Sequence, residues 1–439
     1  MAMEIEAFGV EVIGDGGRPV PEGAGAGVAR LLAAMLARAG VVAEPLVGAG
    51  PSAPAARVPR EARVRGQWWI GDRWQAEIEV NGERRAEEAS FELGHHLLYR
   101  LTAFAAERLG GAIPEAAMRA FEDMETRSPG ALLAYLAGWG AEGEERKRRW
   151  GRAFELDPRM VAPRLGLAAM VLAAGGEVGA AAGLAHGLNV QDGAAAGEVG
   201  IALWAAGETE VAAEMLQAAV KHDPQNAVAM AALAALLARR APSSDGPASP
   251  GGAGAAAGRD GAWDEALLLA TQATQLAADD YRCWAALADV HRAGGDFAQA
   301  SFYYGFALRL EPEAATVLKD AGACWLLAHQ PQQALPLIER ALAVAPADAE
   351  NHGNLAFARD LLGEAEAALA AARRAAELSP GDARMRILHG DLALKAGAQE
   401  EALEAWARAA ELEPGMVISP AGGNVGLVDS GARQIEDLG

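Results

Sequence analysis

Residues 281–314 read YRCWAALADVHRAGGDFAQASFYYGFALRLEPEA, and the stretches 315–348, 349–382 and 383–416 repeat their pattern every 34 residues. Pro312, Pro346, Pro380 and Pro414 mark the period most plainly. Ala300, Ala334, Ala368 and Ala402 keep step with them, as do Ala307, Ala341, Ala375 and Ala409. An alanine register alone carries little weight in so Ala-rich a chain; its coincidence with a proline register makes the repeat specific. Within each unit, apolar residues recur at helical spacing on both sides of a turn near Gly295, Gly363 or Gly397. Proline then stops the second helix, because it lacks the N–H and clashes with the preceding turn. Each unit reads as a helical hairpin whose two helices approach closely through small residues.

Trp284, Leu287, Ala288, Ala300, Tyr304, Ala307 and Pro312 fall at the spacings of the tetratricopeptide (TPR) pattern, which this stretch resembles. The resemblance implies a mainly α fold, a TPR α-solenoid wound as a right-handed superhelix, with a protein or peptide partner held on the concave surface of the first helices. The pattern extends backward with Gly207, Ala212, Ala219 and Pro224 in one unit and Trp150, Ala153 and Pro158 in another. Residues 161–192 form a degenerate unit between them, with Gly175 at the turn and Ala180 after it. This gives about eight hairpins over residues 127–416. One unit is interrupted: its first helix is Ala227–Arg240, its second starts near Trp263, and the Ser-, Pro- and Gly-rich residues 241–260 between them predict a flexible loop. Residues 417–439, rich in Gly, Val, Ser and Asn, predict an irregular tail.

Residues 1–126 have a different rhythm and predict a small α/β domain with a connecting helix. Ile5 to Ile13 reads as a strand, Gly27 to Ala39 as a helix, and Arg63 to Trp69 and Trp74 to Val80 as a hairpin around Gly71-Asp72. A second helix follows from Phe91 to Leu109. In the hairpin Ala76, Ile78 and Val80 alternate with Gln75, Glu77 and Glu79, as a half-buried strand does. This order of elements resembles the TolB-like or FlgO-like domains that precede TPR arrays in bacterial regulators. That likeness rests on Gly27–Ala39, on Val64-Arg65-Gly66, and on the run from Ser128-Pro129-Gly130-Ala131 through Tyr135-Leu136-Ala137-Gly138 to Leu156-Asp157-Pro158. It implies a sensory or scaffolding domain of a signalling system, so the alternative to a scaffold is a regulatory accessory whose front domain binds a ligand or regulator.

Hydrophobic residues make up 51% and charged residues 22% of the 439, enough for a core and against wholesale disorder. Lys plus Arg number 38 against 59 Asp plus Glu; the net charge of -21 disfavours nucleic acid and anionic membranes as partners. The one basic cluster, Arg146, Lys147, Arg148 and Arg149, reads as a solvated helix face beside Glu144 and Glu145. Cys283 and Cys324 show no metal spacing and read as buried small hydrophobes of a reducing compartment. With no secretory signal and no apolar run long enough for a bilayer, the expected location is the cytoplasm.

Catalytic and cofactor chemistry finds little purchase. Gly23-Ala24-Gly25-Ala26-Gly27 stands between a strand and a helix, the setting of a phosphate loop, yet no Lys-Ser or Lys-Thr follows and Val28 breaks the dinucleotide spacing. His95 and His96 are adjacent on a helix and diverge by about 100 degrees; the other histidines are scattered over the repeats. No G-x-S-x-G nucleophile elbow occurs. The expectation is a non-enzymatic protein without cofactor or metal.

Placed on the TPR pattern, the partner-facing residues are Arg282, Asp289, Arg292, Lys319, Asn354, Phe357, Asp360, Arg384, Asp391 and Lys395. Some TPR domains clamp a terminal carboxylate with two asparagines and three basic residues. The resemblance puts Lys319, Asn354 and Arg384 at three of those five places, with Ala323 and Leu388 at the other two.

Overall fold

The computed structural model describes residues 4–5, 9–12, 24–38, 44–45, 63–70, 74–80, 83–89, 94–108, 115, 119–240 and 261–413. The predicted insertion 241–260 and tail 417–439 lie outside the described residues. Packing groups the chain into two compact units, Met1–Ala229 and Met230–Gly439.

The front of the first unit is a mixed sheet with helices. The strands are β1 (Glu4–Ile5), β2 (Gly9–Val12), β3 (Glu44–Pro45), β4 (Arg63–Ile70), β5 (Trp74–Val80) and β6 (Glu83–Ala89). The strand expected from Ile5 to Ile13 is thus two short strands, both parallel to β4. The β4–β5 hairpin forms as predicted, pairing Gly66 with Ile78 and Trp68 with Ala76, and Ala76, Ile78 and Val80 are buried. β6 has no apolar alternation to announce it. Its backbone pairs with β5 along its whole length, from Ala89 opposite Trp74 to Glu83 opposite Val80, and ion pairs line it, Arg84 2.8 Å from Glu79 on β5 and Arg108 2.8 Å from Glu83. A charged outer strand also resists pairing with another chain.

Helix α1 (Ala24–Arg38) and helix α2 (Gly94–Arg108) supply the apolar cover. α2 lies on β5 and β6 and buries Leu97, Leu98, Leu101, Phe104 and Ala105. α1 begins at Ala24, so the glycine-rich stretch expected as an entry loop is largely the first turn of a helix. Its glycine has a long-range purpose. A Cβ on Gly27 would overlap the backbone carbonyl of Leu136, which belongs to the first hairpin helix, α3 (Pro129–Trp139). Arg30 adds a hydrogen bond to the Trp139 carbonyl at 3.4 Å. One apolar core runs from Val28 and Leu31 through Ile78 and Leu97 to Leu132, Leu136 and Trp150.

The hairpins follow as pairs: α3 with α4 (Gly143–Leu156), α5 (Val161–Ala173) with α6 (Val178–Ala185), and α7 (Gly193–Ala205) with α8 (Thr209–His222). The chain then runs through α9 (Ala227–Arg240) and α10 (Gly261–Leu276), on either side of the insertion. The last pairs are α11 (Tyr281–Ala293) with α12 (Phe297–Leu310), α13 (Ala315–Leu327) with α14 (Pro331–Val344), α15 (Ala349–Leu361) with α16 (Ala365–Leu378), and α17 (Ala383–Lys395) with α18 (Gln399–Leu412). The fold is an α-solenoid of helical hairpins behind a small α/β region. The proline register sets the ends: α12, α14 and α16 each stop two residues before Pro312, Pro346 or Pro380. The closing residue donates its N–H to the carbonyl of Ala307, Ala341 or Ala375. Aspartates start the first helices, with Asp280, Asp348 and Asp382 accepting from backbone N–H groups.

Half of the basic cluster keeps its reading as a solvated face, with Lys147 and Arg148 exposed beside Glu144 and Glu145, while Arg146 and Arg149 turn inward. Arg146 donates to the Gly138 and Ala141 carbonyls at 3.3 and 2.9 Å, and Arg149 to the Ala137 carbonyl at 3.1 Å. These cations meet the negative end of α3, where carbonyls lack helical partners.

The turn between the two helices of a hairpin needs a left-handed residue, supplied by Gly175, Gly207, Gly295, Gly363 and Gly397. In α13/α14 the same register holds His329, at φ 54. A left-handed side-chain residue costs about 1–2 kcal/mol, and His329 is exposed. We expect His329→Gly to raise stability by about 1 kcal/mol in urea unfolding; a loss would mean that the imidazole supports the turn.

Asp123 ties the segment before α3 to the third hairpin. Its carboxylate accepts the backbone N–H of Gln191 at 2.9 Å and of Asp192 at 2.8 Å. Burial nevertheless pushes its pKa up to about 7, helped by the nearby charges of Asp192 and Glu122 and opposed by those two N–H groups. The folded state therefore keeps a proton that the unfolded state loses near pH 4, and stability falls as pH rises through that window. Asp123→Asn should remove this slope. Relative to the wild type the variant gains on the order of 2–4 kcal/mol between pH 4 and pH 8, measured by denaturant unfolding at a series of pH values; parallel curves would contradict the shift.

Candidate functional site

The first helix α13 touches α15, and α15 touches α17, so their side chains form one face. Several of its residues share repeat positions, Arg282 with Glu350 and Arg384, Asp289 with Phe357 and Asp391, and Arg292 with Asp360. Asp289 accepts a hydrogen bond from the Tyr304 hydroxyl across its hairpin. Asp391 does the same for the Trp406 indole N–H at 3.0 Å. Both pairs join a first-helix acid to a second-helix aromatic at a separation of 15 residues. The two acids are thus struts that hold polar aromatics in the core. Burial raises the pKa of Asp391 despite the Trp406 contact, and burial with the Asp289 charge raises Tyr304 well above its usual value.

Cations on this face are matched within the chain. Lys319 Nζ lies 2.6 Å from Glu350, bridging α13 and α15. Lys395 lies 2.6 Å from Asp360, bridging α17 and α15. Arg282 and Arg384 fold back on the capping Asp280 and Asp382, at 2.6 and 2.9 Å. Arg292 stands 3.8 Å from Asp289. Phe357 is half-buried against the core of the last hairpins. Asn354 is only 2% exposed, so its amide does not face solvent as an external grip requires.

Glu350 and Asp320 were not among the expected site residues, yet they organise the charge. The Lys319 ammonium is held charged mainly by Glu350, against the effect of its burial. Arg384 is raised first by Asp382, and it also feels Glu350. Glu350 thus pairs with Lys319 and is felt by Arg384, whose own partner is Asp382. Asp320 is pushed up to about 6 by burial and by Asp289, against Arg292, Lys319 and Arg239. The sequence signal for Glu350 was available in its separation of 31 residues from Lys319, which joins adjacent first helices.

Among the described residues no cluster of His, Cys, Asp and Glu could hold a metal ion, and no helix is long and apolar enough to cross a membrane. Cys283 and Cys324 are both fully buried. Between α1, β5 and α2 a gap lined by Val28, Leu31, Ile78 and Leu98 offers about 10 Å³, room for one water at most.

No protein-family model matches the sequence, and no curated protein matches it at a significant level. Solved structures do align with it. A structure titled a functional characterisation of pilF of Pseudomonas aeruginosa is 20% identical, covers 51% of this chain and 93% of its own, and has a TM-score of 0.41. YrrB, described as a TPR protein with an unusual peptide-binding site, is 20% identical over 46% of this chain and 94% of its own, with a TM-score of 0.36. MamA from Desulfovibrio magneticus RS-1, from residue 41 onward, is 25% identical over 35% of this chain and 87% of its own, with a TM-score of 0.34.

Proposed function

We propose that this chain is a protein-interaction scaffold and that a partner peptide lies along the face of α11, α13, α15 and α17. What supports this reading is the ladder of half-exposed charges that crosses from one first helix to the next, Lys319 to Glu350 and Asp360 to Lys395. These pairs are partly open to water, and a partner's acid or base that reaches Lys319 or Lys395 can exchange with Glu350 or Asp360, one charge-assisted contact for another. The most exposed cations of the strip, Arg282, Arg384 and Lys395, suit acidic residues of an extended peptide, for which charge-assisted hydrogen bonds are the strong contacts.

Glu350 neutralises Lys319 until a partner carboxylate replaces it. Fluorescein-labelled peptides ending in acidic residues, titrated at two salt concentrations, test this. Lys319→Ala and Arg384→Ala should each weaken binding about tenfold, while Glu350→Gln should strengthen it by removing the internal competitor. Equal affinity in all three variants, or binding indifferent to salt, would remove the exchange mechanism. Capture of partners from lysate with the wild type but not with the charge variants would keep the face as the binding surface.

A further inference from the structure

The outer side of α12 breaks the rule that the other second helices follow. Its inner side buries Ala300, Ser301, Tyr304 and Ala307, as the repeat requires. The opposite side carries Ala298, Phe302, Gly305, Phe306 and Arg309, which share a face at spacings of four, seven, eight and eleven residues. In the same register α14 has Gln332, Pro336, Glu339 and Arg340, α16 has Glu366, Ala370, Arg373 and Arg374, and α18 has Glu400, Glu404, Ala407 and Arg408. A helix apolar on all sides is one that expects cover. Phe302 is 57% exposed, and a Cβ on Gly305 would meet nothing within 4 Å. Leu268, which is 58% exposed in the register of Phe302, has the polar neighbours Asp264, Thr271 and Gln272, so exposure alone does not make the patch.

The charge of this face is also unmatched. Arg340 reaches the Pro312 carbonyl at 2.6 Å, Arg374 pairs with Glu377 at 3.1 Å, and Arg408 with Glu404 at 2.5 Å. Phe306 replaces that arginine in α12. The nearby Arg309 has no ion pair among the described residues, and its guanidinium lies 4.0 Å from the centre of the Phe306 ring. Trp284 stacks on the same ring at 5.0 Å, and Phe302 meets it edge-on at 4.9 Å. The result is a rigid aromatic ridge with a small residue on each side and a spare cation at one end.

We infer that this ridge is a self-association surface on which α12 of a second copy packs antiparallel to α12 of the first, about a two-fold axis at Phe302. In that arrangement the face is complementary to itself. Ala298 comes opposite Phe306 of the second copy, small against large, and the two Phe302 rings meet beside the Gly305 notches. Arg309 comes opposite residue 295 of the second copy, next to its exposed Asp296, whose carboxylate attracts a cation. An isologous contact of this kind closes at two copies. It lies on the second-helix side and leaves the first-helix face of each copy to a partner, so it stands or falls apart from the proposed function.

Sedimentation equilibrium of the full chain from low to high micromolar concentration tests the inference. The mass should move from one chain to two, and Phe302→Asp should raise the dissociation constant about 100-fold or more, since it removes a central aromatic from both copies. Arg309→Glu should weaken the dimer in the same direction, whereas Leu268→Ser should leave it unchanged. Far-ultraviolet circular dichroism confirms that each variant keeps its helices. Under a mild oxidant Phe302→Cys should cross-link two copies and Leu268→Cys should not; Cys283 and Cys324 are fully buried and do not interfere. A single-chain mass at every concentration, or a dimer that Phe302→Asp leaves intact, would overturn it.

Discussion

Gly27→Ala should cost at least about 3 kcal/mol, more than a typical overpacking substitution, because the obstacle is backbone. The added methyl would overlap the Leu136 carbonyl, and no rotamer change moves a carbonyl that belongs to a helix. Either α1 withdraws from α3 or α3 bends. Withdrawal also lengthens the Arg30 bond to the Trp139 carbonyl and opens the core shared by Val28, Leu31 and Leu136. Urea unfolding should show a lower midpoint, and limited proteolysis should show earlier cleavage before residue 129. The control is Gly151→Ala in α4, where an added Cβ meets nothing within 4 Å; it should be neutral or slightly stabilising, since alanine suits a helix interior better than glycine. Equal behaviour of the two variants would mean that α1 does not rest on α3 as described.

The contrast between these two glycines shows where the sequence was legible. The hairpins could be read because each is fixed by information within one period: proline after the second helix, alanine at the crossing, glycine at the turn. The turn of α13/α14 escaped only because His329 stands in the glycine register and adopts the same left-handed backbone. Gly27 could not be read in this way. Its partner is a carbonyl more than a hundred residues away, and nothing local separates a glycine that permits close approach from one that loosens a loop. β6 was missed for a related reason. Its place comes from the backbone ladder with β5 and from packing against α2, while its exposed charges leave no apolar periodicity in Glu83–Ala89 itself.

The candidate site was legible in position and not in pairing. Register alone placed Arg282, Lys319, Asp360, Arg384 and Lys395 on first helices, where they are found. Register says nothing about which neighbour a charge selects. Asp289 and Asp391 read as partner-facing acids, yet a hydroxyl and an indole at a separation of 15 residues claim them, because a buried polar aromatic needs a partner more than an exposed acid does. Asn354 likewise reads as a groove amide and is buried. Glu350, one residue past the start of α15, looked like an ordinary first-turn acid; only the spacing between adjacent first helices brings Lys319 to it.

Ala368→Leu should destabilise by about 1–3 kcal/mol, and Lys319→Ala by no more than about 1 kcal/mol. The first number follows from geometry repeated four times: Ala300, Ala334, Ala368 and Ala402 are each fully buried, at the position where the second helix of a hairpin crosses the first. Ala368 shares its core with Ala356, Ala372 and Leu388, and three added carbons there must push α16 away from α15. The second number is larger than a fully exposed lysine would give, since Lys319 is half-buried and its loss leaves Glu350 without its 2.6 Å partner. It stays small because Arg384 still attracts Glu350 and water reaches both. Ala334→Leu repeats the first test one hairpin earlier and should match it within a factor of about two, as equivalent sites of a repeat array do when stability is a sum of nearest-neighbour terms. Urea unfolding of the three variants decides the matter. If Lys319→Ala costs as much as either alanine substitution, the crossing does not lie on the alanine register and the phase of the hairpins is wrong.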